Sequence, residues 1–365
     1  MNSLNFMKKQ IQIKTKSKNY KIVIENGSID KYLKSKFIYN TKVFIIVDNK
    51  IAGKIERIVK NKKKVVLIKI KGSETIKSIE VYWKVISKLL QKKIDRSSTL
   101  IAIGGGTIGD LCGFIASTIL RGINFVLMPT TLLSQVDSSI GGKNGINSKY
   151  GKNLIGTFYQ PDIVIIDPSI LKSLSLKQIR SGYAEIVKHA IINDDKFYQW
   201  LKNNFNKIFK LDKKIVSYAI EKSIKIKANF IMEDEKESLK NSSSRAILNF
   251  GHTFGHALES INEYKSTLTH GEAISIGMVI AVKISHQIGR LSKYQLDDII
   301  EHFNKCGLPT SNNLIKKDRY YKFLINDKKN ENKKINLILL NKIGKAFYAK
   351  NFELKKIKNL VLQTL

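Results

Sequence analysis

Three of the six histidines lie within 19 residues, at positions 252, 256 and 270. Neutral imidazole is the commonest protein ligand of catalytic divalent metals, so this clustering suggests a metal site. His252 and His256 are four residues apart in a stretch with helical periodicity, and their side chains should leave one helix face about 5–6 Å apart at Cβ. One metal could contact both imidazoles, or one histidine could bind the metal while the other transfers protons.

The residues around the histidines narrow this chemistry. The zincin motif is absent because no glutamate lies between His252 and His256, so peptidase activity is not indicated. Two histidines at helical spacing can also be ordinary surface or core residues. The third histidine is followed by Gly271 and Glu272. Ligands from two helices plus a distant carboxylate are a usual pattern for catalytic zinc, and the third histidine therefore favours a metal site.

A glycine-rich turn follows the apolar run Leu100–Ile103, with glycines at 104, 106 and 109 in dinucleotide-binding spacing. Such glycines let backbone amides approach a diphosphate, and the next helix amino terminus supplies positive potential. The usual acid about 20 residues downstream is missing. Asp48, however, ends the run Val43–Val47 at the carboxyl edge of the predicted sheet, where it could hold a ribose. The alternative is that the glycines only form a tight turn.

A third group of polar residues lies in glycine-rich turns between positions 129 and 153. Lys143, Lys152 and Asn153, with hydroxyl side chains nearby, suit a phosphorylated substrate or cofactor. Asp137 could pair with one of these lysines or with a substrate hydroxyl. In this interpretation the turns bind an anion.

Charged residues also occur in the predicted helical half. Glu185 and Lys188 are one helical turn apart, which ordinarily indicates a solvated ion pair. Their neighbours are apolar, however, and a carboxylate there would require a metal or a cation. Arg245, four residues before Asn249, could clamp a substrate carboxylate through two hydrogen bonds.

The composition indicates a globular protein of two domains. The 365 residues exceed the size at which one core keeps growing, and 43% are hydrophobic. No run reaches the ~18 apolar residues of a membrane span, and the amino terminus lacks a signal-peptide pattern. Cys112 and Cys306 lie in separate halves without metal-type spacing. We therefore expect a cytoplasmic protein with no membrane partner.

The formal net charge of +34 raises the alternative of a protein that binds nucleic acid. Only 7 of the 64 basic residues are arginine, and the lysines are spread along the whole chain without interleaved aromatic residues. This pattern indicates a lysine, isoleucine and asparagine bias typical of an AT-rich genome. We expect weak nonspecific binding to polyanions at low salt and no specific nucleic-acid partner.

The order of apolar patterns predicts two different halves. Short β-branched runs alternate with helical stretches up to about residue 175, which predicts a Rossmann-like α/β domain with a mostly parallel sheet at residues 1–178. Residues 179–365 are predicted to form a mainly α-helical domain. The expected helical stretches and a later strand-like run are Gly182–Leu201, Lys213–Glu233, His252–Ile261, Glu272–Gly289 and Ile335–Leu340.

Six segments together resemble the 3-dehydroquinate synthase family of the sugar phosphate cyclase superfamily, over about residues 43–345. They are GGGTIGD, RGINFVLMPTTLLSQVDSSIGGK, GKNLIGTFYQP, GYAEIVKHA, NFGHTFGHALES and HGEA. The resemblance implies an NAD-binding α/β domain, a helical domain and one divalent metal, zinc or cobalt. It also implies a lyase of the shikimate pathway, which leads to chorismate and the aromatic amino acids.

The resemblance also implies site residues. The implied metal ligands are Glu185, His252 and His270. The implied NAD-binding positions are Asp48, the Gly72–Lys77 stretch with Glu74 and Lys77, Gly106, Thr107, Ile108, Gly109, Asp110, Thr130, Thr131, Lys143, Lys152, Ile170, Leu171, Lys172 and Ser173. The implied catalytic and substrate contacts are Asp137, Lys143, Lys152, Asn153, Lys188, Lys227, Arg245, Asn249, His256, one of Lys328 and Lys329, and Arg121, which the family takes from a neighbouring subunit. A homodimer is therefore implied.

Two segments depart from the family pattern. The loop from Glu237 to Arg245 is about four residues longer than expected, so the substrate-facing acid is Glu237 or is displaced. The Lys71–Lys77 segment differs from the family form Asp-Gly-Glu-x-x-Lys, and only Glu74 and Lys77 carry over.

The implied reaction converts 3-deoxy-D-arabino-heptulosonate 7-phosphate into 3-dehydroquinate and phosphate. NAD would oxidise the C5 hydroxyl transiently while the metal polarises its oxygen, phosphate would leave by elimination, and reduction and an intramolecular aldol closure would follow. A polyol dehydrogenase shares the two-domain plan but needs no phosphate cluster. A cyclitol-forming cyclase keeps the NAD, metal and phosphate sites. Recognition of a substrate carboxylate distinguishes 3-dehydroquinate synthase from such a cyclase, and Arg245 is suited to that recognition.

Overall fold

The structure is a computed structural model that describes residues 8–35, 40–262, 267–325 and 334–363. The chain divides into two compact units, Met1–Leu174 and Ser175–Leu365. The roles expected for the two halves, one binding NAD and one binding metal and substrate, remain predictions.

A seven-stranded sheet forms the centre of the first unit, in the order β1-β2-β9-β6-β5-β3-β4. β1 and β2 pair antiparallel at one edge, and the pairs from β2 to β4 across the sheet are parallel. The central run Val43–Val47 is fully buried, because helices cover a parallel sheet on both faces. The strands of this sheet are β1 (Lys9–Lys14), β2 (Asn19–Ile24), β3 (Val43–Asp48), β4 (Val65–Ile70), β5 (Thr99–Gly104), β6 (Asn124–Pro129) and β9 (Ile163–Ile166).

The strand order places a switch point between β3 and β5. From β3 the chain continues to β4 on one side, and from β5 it continues to β6 on the other. Ligands of open α/β sheets bind at the carboxyl ends of strands at such a point. The helices of this unit are α1 (Ser28–Lys34), α2 (Asn49–Val59), α3 (Ile79–Gln91) and α4 (Gly106–Thr118).

A separate hairpin, β7 (Lys143–Ser148) and β8 (Gly151–Phe158), packs against α4. Gly145 lies opposite Gly156, and a Cβ on Gly156 would stand 2.2 Å from the backbone oxygen of Asn144. The sequence predicted glycine-rich turns for this segment. That prediction was wrong for Lys143, Lys152 and Asn153, which lie in strands, because the glycines permit close strand approach here.

The second unit is mainly helical. The expected helix Gly182–Leu201 is divided in the structure at Asp194, whose side chain accepts a hydrogen bond from the Phe197 amide and so begins a new helix. The helices are α5 (Leu176–Asn193), α6 (Asp195–Phe209), α7 (Lys213–Glu233), α8 (His252–Ile261), α9 (His270–Gln287), α10 (Lys293–Lys305), α11 (Asp318–Ile325) and α12 (Leu354–Leu362).

An antiparallel hairpin of β10 (Lys334–Lys342) and β11 (Lys345–Glu353) completes this unit. Its first strand contains the strand-like run Ile335–Leu340 found in the sequence. The predicted fold class, a mostly parallel α/β unit followed by a mainly helical one, is confirmed. None of the helices in the described ranges has the length and apolar character of a membrane-crossing segment.

The helical core contains a histidine that makes its stability depend on pH. His302 is buried, its Nε2 lies 3.0 Å from the Tyr183 hydroxyl, and Cys306 Sγ is 3.6 Å from the same nitrogen. Burial and the nearby Lys202 ammonium lower the pKa of His302 to about 4. The unfolded chain, with an ordinary histidine pKa, therefore binds a proton first as the pH falls.

We expect the contribution of neutral His302 to the free energy of unfolding to be complete above the ordinary histidine pKa and to decline as the pH falls towards 4. At about pH 5 the loss should be about 2 kcal/mol, from the separation of the two pKa values. Urea unfolding of the wild type and His302→Gln at about pH 7 and pH 5 measures it. The variant should lose less stability than the wild type between these two pH values, and equal losses would contradict the assignment to His302.

Candidate metal centre and cofactor-binding residues

Three helices of the second unit bring one carboxylate and two imidazoles together. Glu185 lies in α5, and His252 and His270 are the first residues of α8 and α9. The Nε2 atoms of His252 and His270 lie 3.6 and 3.5 Å from the same Glu185 oxygen, Oε1. Potential ligand atoms of all three residues lie within 4.8 Å of one another. The structure thus brings the three predicted metal ligands together, and their binding of a metal stays a prediction.

The second ring nitrogen of each histidine faces an acceptor. His252 Nδ1 is 3.2 Å from the carbonyl oxygen of Phe250, and His270 Nδ1 is 3.5 Å from Glu259 Oε1. Metal-binding histidines usually donate their other N–H to a carbonyl or carboxylate, which directs the Nε2 lone pair towards the metal. Glu185 is completely buried, where a carboxylate requires cationic partners. Two imidazoles and one carboxylate therefore fit a zinc or cobalt ion.

The two histidines differ in their protonation. Burial and the Lys188 ammonium hold the pKa of His252 well below its ordinary value, so the ring is neutral, the form that binds metals. Burial also lowers the pKa of His270, but the carboxylates of Glu259 and Glu185 outweigh it and raise that pKa to about 10. Metal binding at His270 must therefore displace a proton.

Two further predicted residues lie beside this cluster. Lys188 is almost completely buried and its Nζ contacts Glu185 Oε2, so the expected ion pair forms away from solvent. His256 is exposed, and its ring centroid is 5.2 Å from that of His252 and 6.3 Å from that of His270. Within the described residues, the cluster of ligand atoms contains His252 and excludes His256. This arrangement favours one histidine as ligand and the other as a proton-transfer or substrate group.

Glycines set the spacing of the three ligand-bearing helices. A Cβ on Gly277 of α9 would stand 2.1 Å from the Gly251 oxygen and 2.8 Å from the Gly255 nitrogen, on either side of His252. A Cβ on Gly271 would stand 2.3 Å from the Ser181 oxygen in α5. The helices therefore meet backbone to backbone, without side chains as spacers.

A buried carboxylate organises the long loop before Arg245. Asp234 accepts hydrogen bonds from the backbone amides of Ser238, Leu239 and Arg245, at 2.8, 3.1 and 3.1 Å. These bonds lower the pKa of Asp234 despite the opposing effect of burial. Arg245 is itself buried, and its Nη1 donates to the Glu235 carbonyl oxygen at 2.6 Å. The hydrogen bonds to Asp234 thus hold the two ends of this long loop together.

Glu237, one of the two alternatives for the acid expected to face substrate, has a defined partner in the structure. Its Oε1 accepts a hydrogen bond of 2.5 Å from Asn249 Nδ2, and its backbone has a φ of 58°. Asn249 ends the short 3-10 helix Arg245–Asn249, and Lys227 is buried in α7. Glu237, Arg245 and Asn249 are therefore parts of one connected segment. Lys328 and Lys329 lie outside the described residues.

In the first unit, the residues predicted to bind NAD follow the carboxyl ends of the parallel strands. Asp48 ends β3 and also accepts a hydrogen bond from the Lys50 amide at 3.0 Å. Gly72 leaves room for it, because a Cβ there would stand 2.3 Å from Asp48 Oδ2. Most other predicted positions follow β4, β5, β6 and β9, as Glu74 and Lys77; Gly106, Thr107, Ile108, Gly109 and Asp110; Thr130 and Thr131; and Ile170, Leu171, Lys172 and Ser173. Lys143 and Lys152, also predicted to bind NAD, lie instead in the β7–β8 hairpin.

The glycine-rich turn leaves the amino end of α4 accessible to a ligand. The N-cap is Gly105, which has no side chain to cap the helix, and a Cβ on Gly106 would stand 2.7 Å from Ser138 Oγ. A small cavity lined by Gly104, Gly105, Pro129 and Ser138 lies at this turn. A helix amino terminus without a side-chain cap favours phosphate groups, so these residues fit a dinucleotide.

A polar network connects predicted cofactor and substrate residues within this unit. Lys77 is buried, and its Nζ donates to Asp110 Oδ2 at 2.6 Å and to Asn153 Oδ1. Burial raises the pKa of Asp110, and Lys77 offsets part of that rise. Asn147 in β7 donates to Glu74 Oε1 at 2.8 Å and accepts from the Asn153 amide at 3.0 Å.

The other predicted residues of this unit lie in short turns or strands. Arg121 follows α4 in a turn where Leu120, Arg121 and Gly122 all have positive φ, of 51°, 67° and 116°. Two such non-glycine residues in succession are strained, and strain of this kind clusters at functional sites. Asp137 lies in the short helix Ser134–Ser138, and Lys143 begins β7. The borrowing of Arg121 by a partner subunit remains a prediction.

Sequence reasoning missed three residues that the structure connects to these sites. Glu259 lies one turn beyond His256 and faces His270, Asp234 closes the long loop, and Asn147 joins Glu74 to Asn153. Glu259 lies three residues after His256 in the histidine segment, and this helical spacing could have indicated that it lies near the histidines. Asp234 and Asn147 act on residues distant in sequence or on backbone groups, and local patterns do not report such contacts.

The fold of this chain is an α/β unit with a glycine turn at its switch point, followed by a helical unit that carries a His-His-Glu cluster. Two solved structures share it: 2-deoxy-scyllo-inosose synthase complexed with carbaglucose-6-phosphate, NAD+ and Co2+, and 2-epi-5-epi-valiolone synthase from Streptomyces hygroscopicus with NAD+ and Zn2+. The TM-scores are 0.83 and 0.84 at 22% identity, covering 97% and 94% of this chain and 100% and 96% of those chains.

Sequence comparison identifies the family. The models for the 3-dehydroquinate synthase N-terminal and C-terminal domains match residues 67–181 and 182–330. The 3-dehydroquinate synthase of Pelagibacter ubique is 41% identical, covering 97% of this chain and 98% of that protein. The chain belongs to the 3-dehydroquinate synthase family. The resemblance found in the sequence is therefore confirmed, and the chain is an enzyme of this family.

Proposed function

We propose that this chain converts 3-deoxy-D-arabino-heptulosonate 7-phosphate into 3-dehydroquinate and phosphate, a step of the shikimate pathway that leads to chorismate. The observation that carries the proposal is the convergence of His252 and His270 on the buried Glu185 in a chain of this family. The substrate is a sugar acid phosphate, and its charge suits the lysines and arginine of the predicted sites.

Two groups complete the proposed enzyme. Glu185, His252 and His270 would hold zinc or cobalt, and the residues at the carboxyl ends of β3 to β6 and β9 would hold NAD. When bound, NAD accepts and returns a hydride, and the metal polarises the oxygen of the reacting hydroxyl. The fit of both groups depends on the two imidazoles directed at one carboxylate and on the uncapped amino end of α4.

The side chains of the chain itself bind and orient the substrate in this proposal. Arg245 has the fork geometry that holds a carboxylate or a phosphate through two hydrogen bonds. Lys143 and Lys152 supply further positive charge, and Asn153 supplies an amide for a substrate hydroxyl. His256 is exposed next to His252, which supports its proposed role in exchanging a proton with a bound group.

The remaining reaction steps, phosphate loss and aldol closure, depend on orientation. A site that holds the substrate chain folded lowers their barrier through proximity, and the departing phosphate can itself take a proton. The residues proposed to hold the chain folded are those that bind its two anionic ends and its hydroxyls, namely Asp137, Lys188, Lys227, Arg245 and Asn249.

We further propose a homodimer in the cytoplasm. The dimer is supported by the strained turn that carries Arg121, whose proposed role is to reach the substrate phosphate of a partner subunit. The cytoplasmic location is supported by the biosynthetic activity of the relatives and by two cysteines, Cys112 and Cys306, that are both free and buried. Sedimentation of the purified protein measures the oligomeric state.

The test of the function is phosphate release from 3-deoxy-D-arabino-heptulosonate 7-phosphate with NAD and zinc or cobalt. We expect equal amounts of phosphate and 3-dehydroquinate, no accumulation of NADH because the hydride is returned, and loss of activity with EDTA. NADH from simple polyols without phosphate release would instead indicate a dehydrogenase. Release of phosphate from a substrate that lacks the carboxylate, at an equal rate, would indicate a cyclitol-forming cyclase.

A further inference from the structure

Asn147 lies at the centre of the polar network in the first unit, although no sequence motif singles it out. Its side-chain amide has one donating and one accepting contact. Nδ2 donates to Glu74 Oε1 at 2.8 Å, and Oδ1 accepts from the backbone amide of Asn153 at 3.0 Å. Its own backbone amide donates to the Lys77 carbonyl oxygen at 2.8 Å. One residue of β7 thus contacts three residues in two segments.

Each of these two segments carries a proposed site residue. Glu74 begins the short helix after β4, Lys77 follows it, and both are proposed cofactor contacts, whereas Asn153 in β8 is a proposed substrate contact. Lys77 makes a second connection, because its Nζ donates to the side chain of Asn153. Asn147 and Lys77 therefore both join the Glu74–Lys77 segment to the β7–β8 hairpin.

The backbone of Asn153 requires such support. Its φ is 53°, in the left-handed region that residues other than glycine rarely occupy. The hydrogen bond from its amide to Asn147 fixes this conformation, and the bond from Lys77 fixes the rotamer of its side chain. A hydrogen bond to a charged group such as Glu74 contributes more than one between neutral groups.

We propose that Asn147 is a positioning residue that holds the substrate-binding Asn153 against the cofactor-binding Glu74. This inference rests on the proposed function and extends it to a residue outside the predicted site. Because one side chain orients both segments, loss of its amide weakens NAD binding and substrate binding together. Asn147 itself touches neither ligand in this proposal.

The experiment uses an exchange of the two polar groups. Asn147→Asp places a carboxylate against Glu74, and we expect the NAD dissociation constant, measured by calorimetry without substrate, and the substrate KM each to rise about tenfold or more. Glu74→Gln/Asn147→Asp restores a donor and an acceptor in reversed order. The double variant should therefore return to within about threefold of the substrate KM of Glu74→Gln alone.

Asn124→Asp, an exposed amide change at the start of β6 in the same unit, is the matched control and should leave both constants unchanged. A substrate KM of the double variant that remains as high as that of Asn147→Asp would overturn the inference, as would an unchanged NAD affinity in Asn147→Asp. A merely structural defect would not be reversed by the second substitution. Failure of the proposed function can be distinguished from failure of this inference. In the first case the wild type would release no phosphate, while NAD calorimetry would still measure the effect of Asn147→Asp.

Discussion

Glu185→Gln, His252→Ala and His270→Ala are each expected to lower turnover about a thousandfold or more, with loss of the bound metal. The three side chains lie on three helices. Two ligands bind a divalent ion much more weakly than three, so the loss of any one side chain should release the metal. Metal content by elemental analysis and phosphate release measure the two effects. Glu185→Gln keeps the volume of the buried side chain but removes the charge that the buried Lys188 ammonium contacts, so we expect lower stability with the fold retained.

Glu301→Gln is the matched control, because it makes the same chemical change in α10 at an exposed position and should alter neither metal content nor rate. His286→Ala serves the same purpose for the histidines. Full activity together with full metal content in any of the three ligand variants would show that the residue is not a ligand. Circular dichroism of each variant separates loss of the ligand from loss of the fold.

Gly277→Ala is expected to weaken metal binding although residue 277 is not a ligand. The new Cβ would stand 2.1 Å from the Gly251 carbonyl oxygen, so α8 must move away from α9 and carry His252 with it. Forcing a methyl group into a packed backbone contact costs about 1–3 kcal/mol or more. A displacement of the ligand should lower metal affinity by about 10- to 100-fold, as changes in the surroundings of metal ligands commonly do.

Thermal unfolding without metal and competition for zinc with a chelator measure the two parts of this prediction. Gly53→Ala in α2 is the control: no atom lies within 4 Å of the Cβ position, and alanine there should raise stability slightly, by about 0.5–1 kcal/mol. Unchanged zinc affinity in Gly277→Ala would show that the close backbone contact does not set the position of His252.

The sequence predicted the sheet of the first unit well because each buried parallel strand is a short, continuous apolar run. Val43–Val47 and Ile163–Ile166 are such runs, and both are strands in the structure. The hairpin at residues 143–158 was missed because its glycines lower strand propensity. The structure uses Gly145 and Gly156 as a facing pair, where the absence of side chains lets the strands approach.

For the site as well, the sequence predicted local features but not contacts between segments that are distant along the chain. Helical spacing alone placed His252 and His256 on one face, and the separation of their rings agrees. Spacing could not decide which of them joins Glu185, because that depends on how α5, α8 and α9 pack. The resemblance to the family supplied the ligand set, and the structure brings those residues together. The break at Asp194 was also hidden, because apolar periodicity continues across it.

The carboxylate of Asp234 has a consequence for surface engineering of this enzyme. It binds the amides of Ser238, Leu239 and Arg245, so the exposed residues 240–243 form a tip whose two ends are fixed together. Additional residues or a fluorescent label at this tip should leave Arg245 in place, because exposed loop tips tolerate insertion. A dye attached there would sit a short chain distance from a proposed substrate-binding arginine and could report ligand arrival by a change in emission.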